Sequence, residues 1–354
     1  MNLNTVFVIG AGASKEANLP TGYELKKEIS KILDIRYDDF GHRLDSGDYK
    51  IIGALDVLAR QPNNRKGDIS PYLCHAWHIR DALPQAISID NFIDAHRDND
   101  KIALCGKLAI VRSILAAEKK SLLYFKQERS ESNINFSALE NTWYIPFFQL
   151  LTENCTKDDL KERFKTITLI IFNYDRCIEH FLFCALQNYY KISEPEAAEL
   201  VRSINIYHPY GNVGTLPMDN RGDGMMFGES PSAENLLRLA QKIKTFTEGT
   251  DPESSEITAI RKRMTMATRL VFMGFAFHKL NMQLIAPGYT DDHGILNIRC
   301  FATTLGISYS DREVIMHQIN DLYSNASNHV SISTLMTDGY CGEFLKEYWR
   351  SLSF

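Results

Sequence analysis

Four apolar residues, Val6 to Ile9, run directly into Gly10, Ala11, Gly12, Ala13 and Ser14. Few folds accept such a junction, which is the pattern of a buried parallel strand that breaks into a turn and opens a helix. Without a Cβ at Gly10 or Gly12 the backbone can come close to a ligand, and the first amides of the helix point outward with partial positive charge. An anionic nucleotide suits such a turn, and so does plain packing of a tight strand-to-helix turn against a sheet. The dehydrogenase fingerprint needs a third glycine where this chain has Lys15, and a ribose-binding acid on a second strand about twenty residues on, which is missing. The helix is cut short at Pro20. Thr21 with Glu24 then reads as a capping box for a second helix striped by Leu25, Ile29, Ile32 and Leu33.

With 354 residues, 44% hydrophobic and 23% charged, the chain can bury a sizeable core in one large or two modest domains. A net charge of −5 with interspersed signs gives no basic footprint and argues against direct nucleic-acid binding. No apolar run approaches the roughly 18 residues that span a bilayer, so no membrane segment is expected. The opening residues read as a strand and not as a signal peptide, and a cytoplasmic location is expected. The seven cysteines are scattered with no CxxC pair, as reduced core thiols would be. Cys74, His75 and His78 lack a second ligand pair with zinc spacing and read as a helix face, so no metal is expected.

From Asp34 to Lys165 no strand is evident. Helical patterns recur at Ile51 to Leu58, Leu104 to Leu115 and Leu139 to Leu151, with a capped start at Ser88 to Asp94 and loops at Gln61 to Pro71 and Gln127 to Asn135. Residues 34–165 are therefore expected to form a helical insertion within a domain made of 1–33 and 166–354. Beyond it, strands are expected at Thr166 to Phe172, Ile204 to Tyr207, Leu270 to Met273, Leu296 to Thr303 and Ser331 to Leu335. Helices fall between them, with capping pairs at Ser193 and Glu196 and at Ser310 and Glu313, and a last helix from Gly342 to Leu352. Between Gly211 and Ser232 five glycines and two prolines mark a long loop. The expected fold is α/β, a Rossmann-like, mostly parallel sheet of about six strands with helices on both faces. In such sheets ligands bind beyond the carboxyl ends of the strands. Four of those ends carry unusual chemistry: the glycine turn at Gly10, Asn173 with Asp175, His208 with Gly211, and Gly274.

GAGAS followed by PTG, then FNYDRCIEHF, YHPYG and VFMGFAF, in this order, resembles the sirtuin-like family. The likeness is nearer to its prokaryotic branch of NAD-consuming effectors in antiphage defence, and covers roughly residues 1–30 and 165–305. The resemblance implies that Gly10, Ala11, Gly12, Ala13 and Ser14 hold the pyrophosphate of NAD. It implies that Thr21, Asp175, Gly211, Gly274 and Phe275 line the same dinucleotide pocket, the last two beside the adenosine half. Asn173 would position the water or ribose hydroxyl, and His208 would draw a proton from a ribose hydroxyl. The residue types suit that chemistry, since a neutral leaving group departing a cationic precursor needs little acid catalysis but does need a placed base. Unaided by the resemblance, Asn173 and Asp175 also read as helix caps and His208 as a turn residue.

Two departures stand out. Tyr210, not a histidine, directly precedes Gly211, and the zinc-binding cysteine pairs of the deacylating sirtuins are absent. The resemblance therefore implies hydrolysis of NAD to nicotinamide and ADP-ribose and not deacylation. It also implies control by homo-oligomer assembly or by a partner such as a nucleoside triphosphatase or another sensor subunit. The alternatives are a non-catalytic module that binds NAD or ADP-ribose, and a nuclease subunit of a defence complex.

Overall fold

The computed structural model describes residues 4–38, 43–60, 68–126, 133–219, 224–249, 254–288, 296–324 and 330–353. The expected loop residues 61–67 and 127–132, and Gly222 of the glycine-rich loop, lie outside the described residues. Six strands, β1 (Thr5–Ile9), β2 (Ile167–Ile171), β3 (Asn205–Tyr207), β4 (Arg269–Met273), β5 (Leu296–Thr303) and β6 (Val330–Thr337), form one sheet in the order 3-2-1-4-5-6. All of its ladders are parallel. This is the strand order of the doubly wound dinucleotide-binding fold.

The central strands are buried along their whole length and mostly apolar because both faces are covered, which is why they read as hydrophobic runs. In β1, Val6 and Val8 enter one core, whereas Phe7 and Ile9 enter the other. Leu270 and Phe272 of β4 follow the first set, and Val271 with Met273 the second. The register is flush: Ile9 lies between Ile171 and Met273. Gly10, Phe172 and Gly274 therefore leave the sheet side by side.

After β1 come α1 (Ala11–Lys15) and α2 (Gly22–Ile32), the latter opened by the expected capping box of Thr21 and Glu24. Residues 34–165 carry α3 (Tyr49–Ala59), α4 (Ser70–Ala82), α5 (Ile89–Ala95), α6 (Asp100–Lys120), α7 (Tyr144–Thr152) and α8 (Leu160–Lys165). They also carry a short antiparallel pair, Arg36–Tyr37 with Leu44–Ser46, in a stretch where no strand was expected. These strands are two and three residues long and largely exposed, so they have no hydrophobic alternation to read. Helices α3 to α6 feed the core above Val6 and Val8, and α7 and α8 feed the core above Phe7 and Ile9. The segment thus covers both faces of the sheet, and its described buried residues join the two cores that flank it.

After β2 come α9 (Cys177–Tyr190) and α10 (Glu194–Ser203), the latter opened by the capping box of Ser193 and Glu196. Before β6, the helix Tyr309–Asp321 is capped by Ser308, which accepts from Asp311 N, and not by Ser310 with Glu313. The same spacing recurs two residues earlier, and that copy sits where the chain is extended. The last helix is broken at Tyr348 into Cys341–Glu347 and Trp349–Leu352. No described helix is long and apolar enough to cross a membrane.

One buried ion pair ties these parts together. Arg176, just before α9, donates from Nη2 to Glu118 Oε2 of α6 at 2.6 Å and from Nε to Oε1 at 3.1 Å. The same guanidinium donates to the carbonyl of Met225 at 2.8 Å, and Gly228 N donates to Glu118 at 3.0 Å. Both side chains are almost fully enclosed. Removing one member leaves the other charge buried without its partner. Arg176→Met is expected to lower stability by about 3 to 5 kcal/mol in denaturant unfolding. Adding Glu118→Leu is expected to restore only part of it, because the carbonyl of Met225 and the amide of Gly228 stay unpaired.

Candidate functional site

At the carboxyl ends of β1 and β4 two glycine turns press against each other. Gly10 N donates to Met273 O, Gly12 N to Gly274 O and Ala13 N to Gly10 O, each at 3.0 Å. A Cβ on Gly12 would lie 2.8 Å from Gly274 Cα, and one on Gly274, at φ +56°, would lie 2.0 Å from Ala13 N. Backbone-to-backbone contact thus accounts for these glycines without any ligand. Gly10, Ala13 and Ser14 are buried, and Ala11 and Gly12 form the half-buried rim. Helix α1 is only five residues long, so its dipole is small.

Ser14 joins the turn after β1 to the turn after β2. Its Oγ donates to Asp175 Oδ2 at 2.8 Å and accepts from Asn173 Nδ2 at 2.8 Å. Asp175 Oδ1 accepts from Cys177 N at 3.1 Å, so this carboxylate also caps α9. Burial raises the Asp175 pKa, and the hydrogen bonds from Ser14 and Cys177 pull it back in part. Between these residues, Tyr174 donates its hydroxyl to Asp90 of α5, a carboxyl also pushed up by burial.

His208, at the end of β3, lies beside Asn173. Its Nδ1 faces the Asn173 carbonyl at 3.2 Å and its Nε2 faces Glu179 Oε1 at 2.7 Å. Burial alone would lower its pKa, but the Glu179 carboxylate and the Asn173 carbonyl outweigh it and the net shift is upward. Both ring nitrogens face acceptors, so the doubly protonated ring is the favoured form. His180, one residue after Glu179, shows the opposite balance. Stacked 4.1 Å from the Phe227 ring and with no carboxylate partner, it is pushed down to about 3 by burial.

The remaining expected residues have structural occupations. The Thr21 hydroxyl caps α2. Gly211, at φ +71°, lets the Lys242 carbonyl come within 2.0 Å of where its Cβ would be. Tyr210 donates to Asn281 Oδ1 at 2.6 Å, and Phe275 packs among Phe172, Phe272 and Phe277. Sequence reading brought Gly10 to Ser14, Asn173, Asp175, His208 and Gly274 to one rim, and the structure gathers them there. It did not single out Glu179, which lies four residues after Asp175, one turn along α9. That spacing is the signal that puts both carboxylates on one side of the helix start. Among the described residues no group of His, Cys, Asp and Glu is gathered as a metal would need. No protein-family model matches the chain, and no curated protein matches it.

Two measurements probe this arrangement. Gly274→Ala is expected to destabilise by about 4 kcal/mol or more, because strain at positive φ adds to the clash with Ala13 N, and thermal or denaturant melting reads the loss. The His208 shift gives a pH dependence. A pKa raised on folding above the ordinary 6.5 contributes stability that is full below that value and is lost as pH rises through the folded value. The stability gap between wild type and His208→Gln should therefore shrink as pH rises above the ordinary histidine value of about 6.5. A gap that widens towards alkaline pH contradicts the pairing with Glu179.

Proposed function

We propose that the chain binds NAD across the crevice at the ends of β1 and β4 and hydrolyses its bond between nicotinamide and ribose. The observation that carries this reading is the strand order 3-2-1-4-5-6, whose direction reverses between β1 and β4, where the glycine turn emerges. Crevices at such reversals are where open α/β sheets take their ligands. The half-buried Ala11 and Gly12 offer a backbone rim that a pyrophosphate can approach. Asn173, fixed by Ser14, orients an attacking oxygen without adding charge. The shared proton of His208 and Glu179 supplies acid and base capacity next to it. The resemblance to sirtuin-like effectors of antiphage defence points the same way. Depletion of NAD harms the cell that carries it out, so control by self-assembly or by a sensor partner belongs to this reading.

A second reading, a regulatory module that binds NAD or ADP-ribose without turnover, is favoured by one observation. Both nitrogens of His208 are already engaged, so a free base appears only when the contact with Glu179 opens. Nicotinamide release from NAD separates the two. Wild type is expected to release it, alone or assembled, and His208→Ala and Asn173→Ala to fall by about a hundredfold or more. Binding with no release in any assembly state favours the regulatory module, and absence of NAD binding rejects both.

A further inference from the structure

The two edge strands of the sheet are unlike. β3 is three residues long, whereas β6 runs for eight residues, VSISTLMT, with no charge, proline or glycine. Sheet edges are normally guarded by shortness, by a charge or a proline, or by a covering element. β6 is long and carries neither charge nor proline. Thr304 N donates to Thr337 O at 2.8 Å, which sets the alternation along the ladder. Ser331, Ser333, Leu335 and Thr337 therefore turn their backbone groups to β5, and Val330, Ile332, Thr334 and Met336 turn theirs outward. Those outward amides and carbonyls have no backbone partner among the described residues.

The side chains divide in the same rhythm. Val330, Ile332 and Met336 pack against the core that also takes Ile315 and Ile319 of the helix Tyr309–Asp321, while Ser331, Ser333 and Leu335 are exposed. Along that helix Tyr309, Arg312 and Met316 share one side. Arg312 Nη2 pairs with Asp338 Oδ2, just after β6, at 2.6 Å. The exposed Tyr309 and Met316 thus lie on the side of the helix that turns to the end of β6.

Such an edge fits an uncharged extended strand of the same length that has a free edge of its own, and this chain carries one. A two-fold axis through Ser333 sets Val330 opposite Met336 and Ile332 opposite Thr334, so each outward backbone group of one copy meets one of the other. Moving the axis to Thr334 would set Val330 against Asp338, beyond the strand. No like charges oppose each other along the strand in the first register. The axis stands across the sheet, so the helices Tyr309–Asp321 of both copies come to the same face and turn Tyr309 and Met316 towards each other.

We infer that β6 is a self-association edge: two copies of this chain pair antiparallel about Ser333 and join their sheets into one. The contact uses the same strand of both copies, so the assembly closes as a dimer. β6 lies two strands beyond β4, and the inference does not rest on the NAD reading.

Sedimentation velocity and cysteine cross-linking of the full chain test it. Wild type is expected to sediment as a dimer and Ser333→Lys as a monomer, because two lysines would then face each other at the axis. Ser333→Cys is expected to form an intermolecular disulfide under diamide, since opposed residues of this kind bring their Cα atoms to about 4.5 Å. Ser331→Cys, which faces Leu335, is expected to stay at the background set by wild type with its exposed Cys74. Wild type that is monomeric at every concentration overturns the inference and leaves the edge to a strand of another protein. A dimer that Ser333→Lys leaves intact, or one that cross-links through Ser331→Cys and not through Ser333→Cys, overturns it as well. Dimerisation through this edge with no nicotinamide release keeps the inference and rejects the hydrolase, and release by a monomer does the reverse.

Discussion

The backbones of Gly12 and Gly274 touch, and the geometry of the strand ends around them follows from that contact. Two turns that leave adjacent parallel strands at the same level can meet only if neither carries a side chain there. Once they meet, their amides are occupied by Met273, Gly274 and Gly10 carbonyls, and the corner is braced from within. Gly274 N is in turn held by Thr303 Oγ1 at 2.8 Å, so β5 braces the same corner.

Behind that corner the chain has placed more ionisable groups than a core normally tolerates. Asp175, Glu118 and Arg176 are enclosed and Asp90 is half-buried, and each is accounted for by a named hydrogen bond: to Ser14, to Tyr174, or to each other. Ser14 matters most among the neutral partners because one hydroxyl serves both Asn173 and Asp175. The contrast between His208 and His180 shows how little distance separates two regimes. The imidazole with a carboxylate beside it holds its proton, and the one stacked on phenylalanine rings gives it up.

The sheet was legible in the sequence because its strands are buried on both faces. Runs such as TVFVI, ITLII and RLVFM have no helical or alternating reading to compete. The rim was legible for a related reason: strand ends in a parallel sheet share one edge, so unusual residues at those ends converge whatever lies between them. What stayed hidden depends on helix faces and on short exposed pieces. Glu179 sits inside a helix and not at a strand end. The pair at Arg36–Tyr37 and Leu44–Ser46 is too brief to pattern, and the turn at Tyr348 breaks an otherwise continuous amphipathic run. The sequence pattern of residues 34–165 is helical, but periodicity alone does not say that α6 and α7 would go to opposite sides of the sheet.

The enclosed pair of Arg176 and Glu118 makes residues 34–165 inseparable from the rest in a heritable sense. A shortened descendant that replaced α6 with a linker would strand a guanidinium at the base of α9 and release the Gly228 backbone that Glu118 now fastens. Such a chain would have to change position 176 and rebuild its glycine-rich loop in the same step. Relatives that lack the helical segment should therefore carry a neutral side chain at that position and a differently routed loop, so that the two traits travel as one.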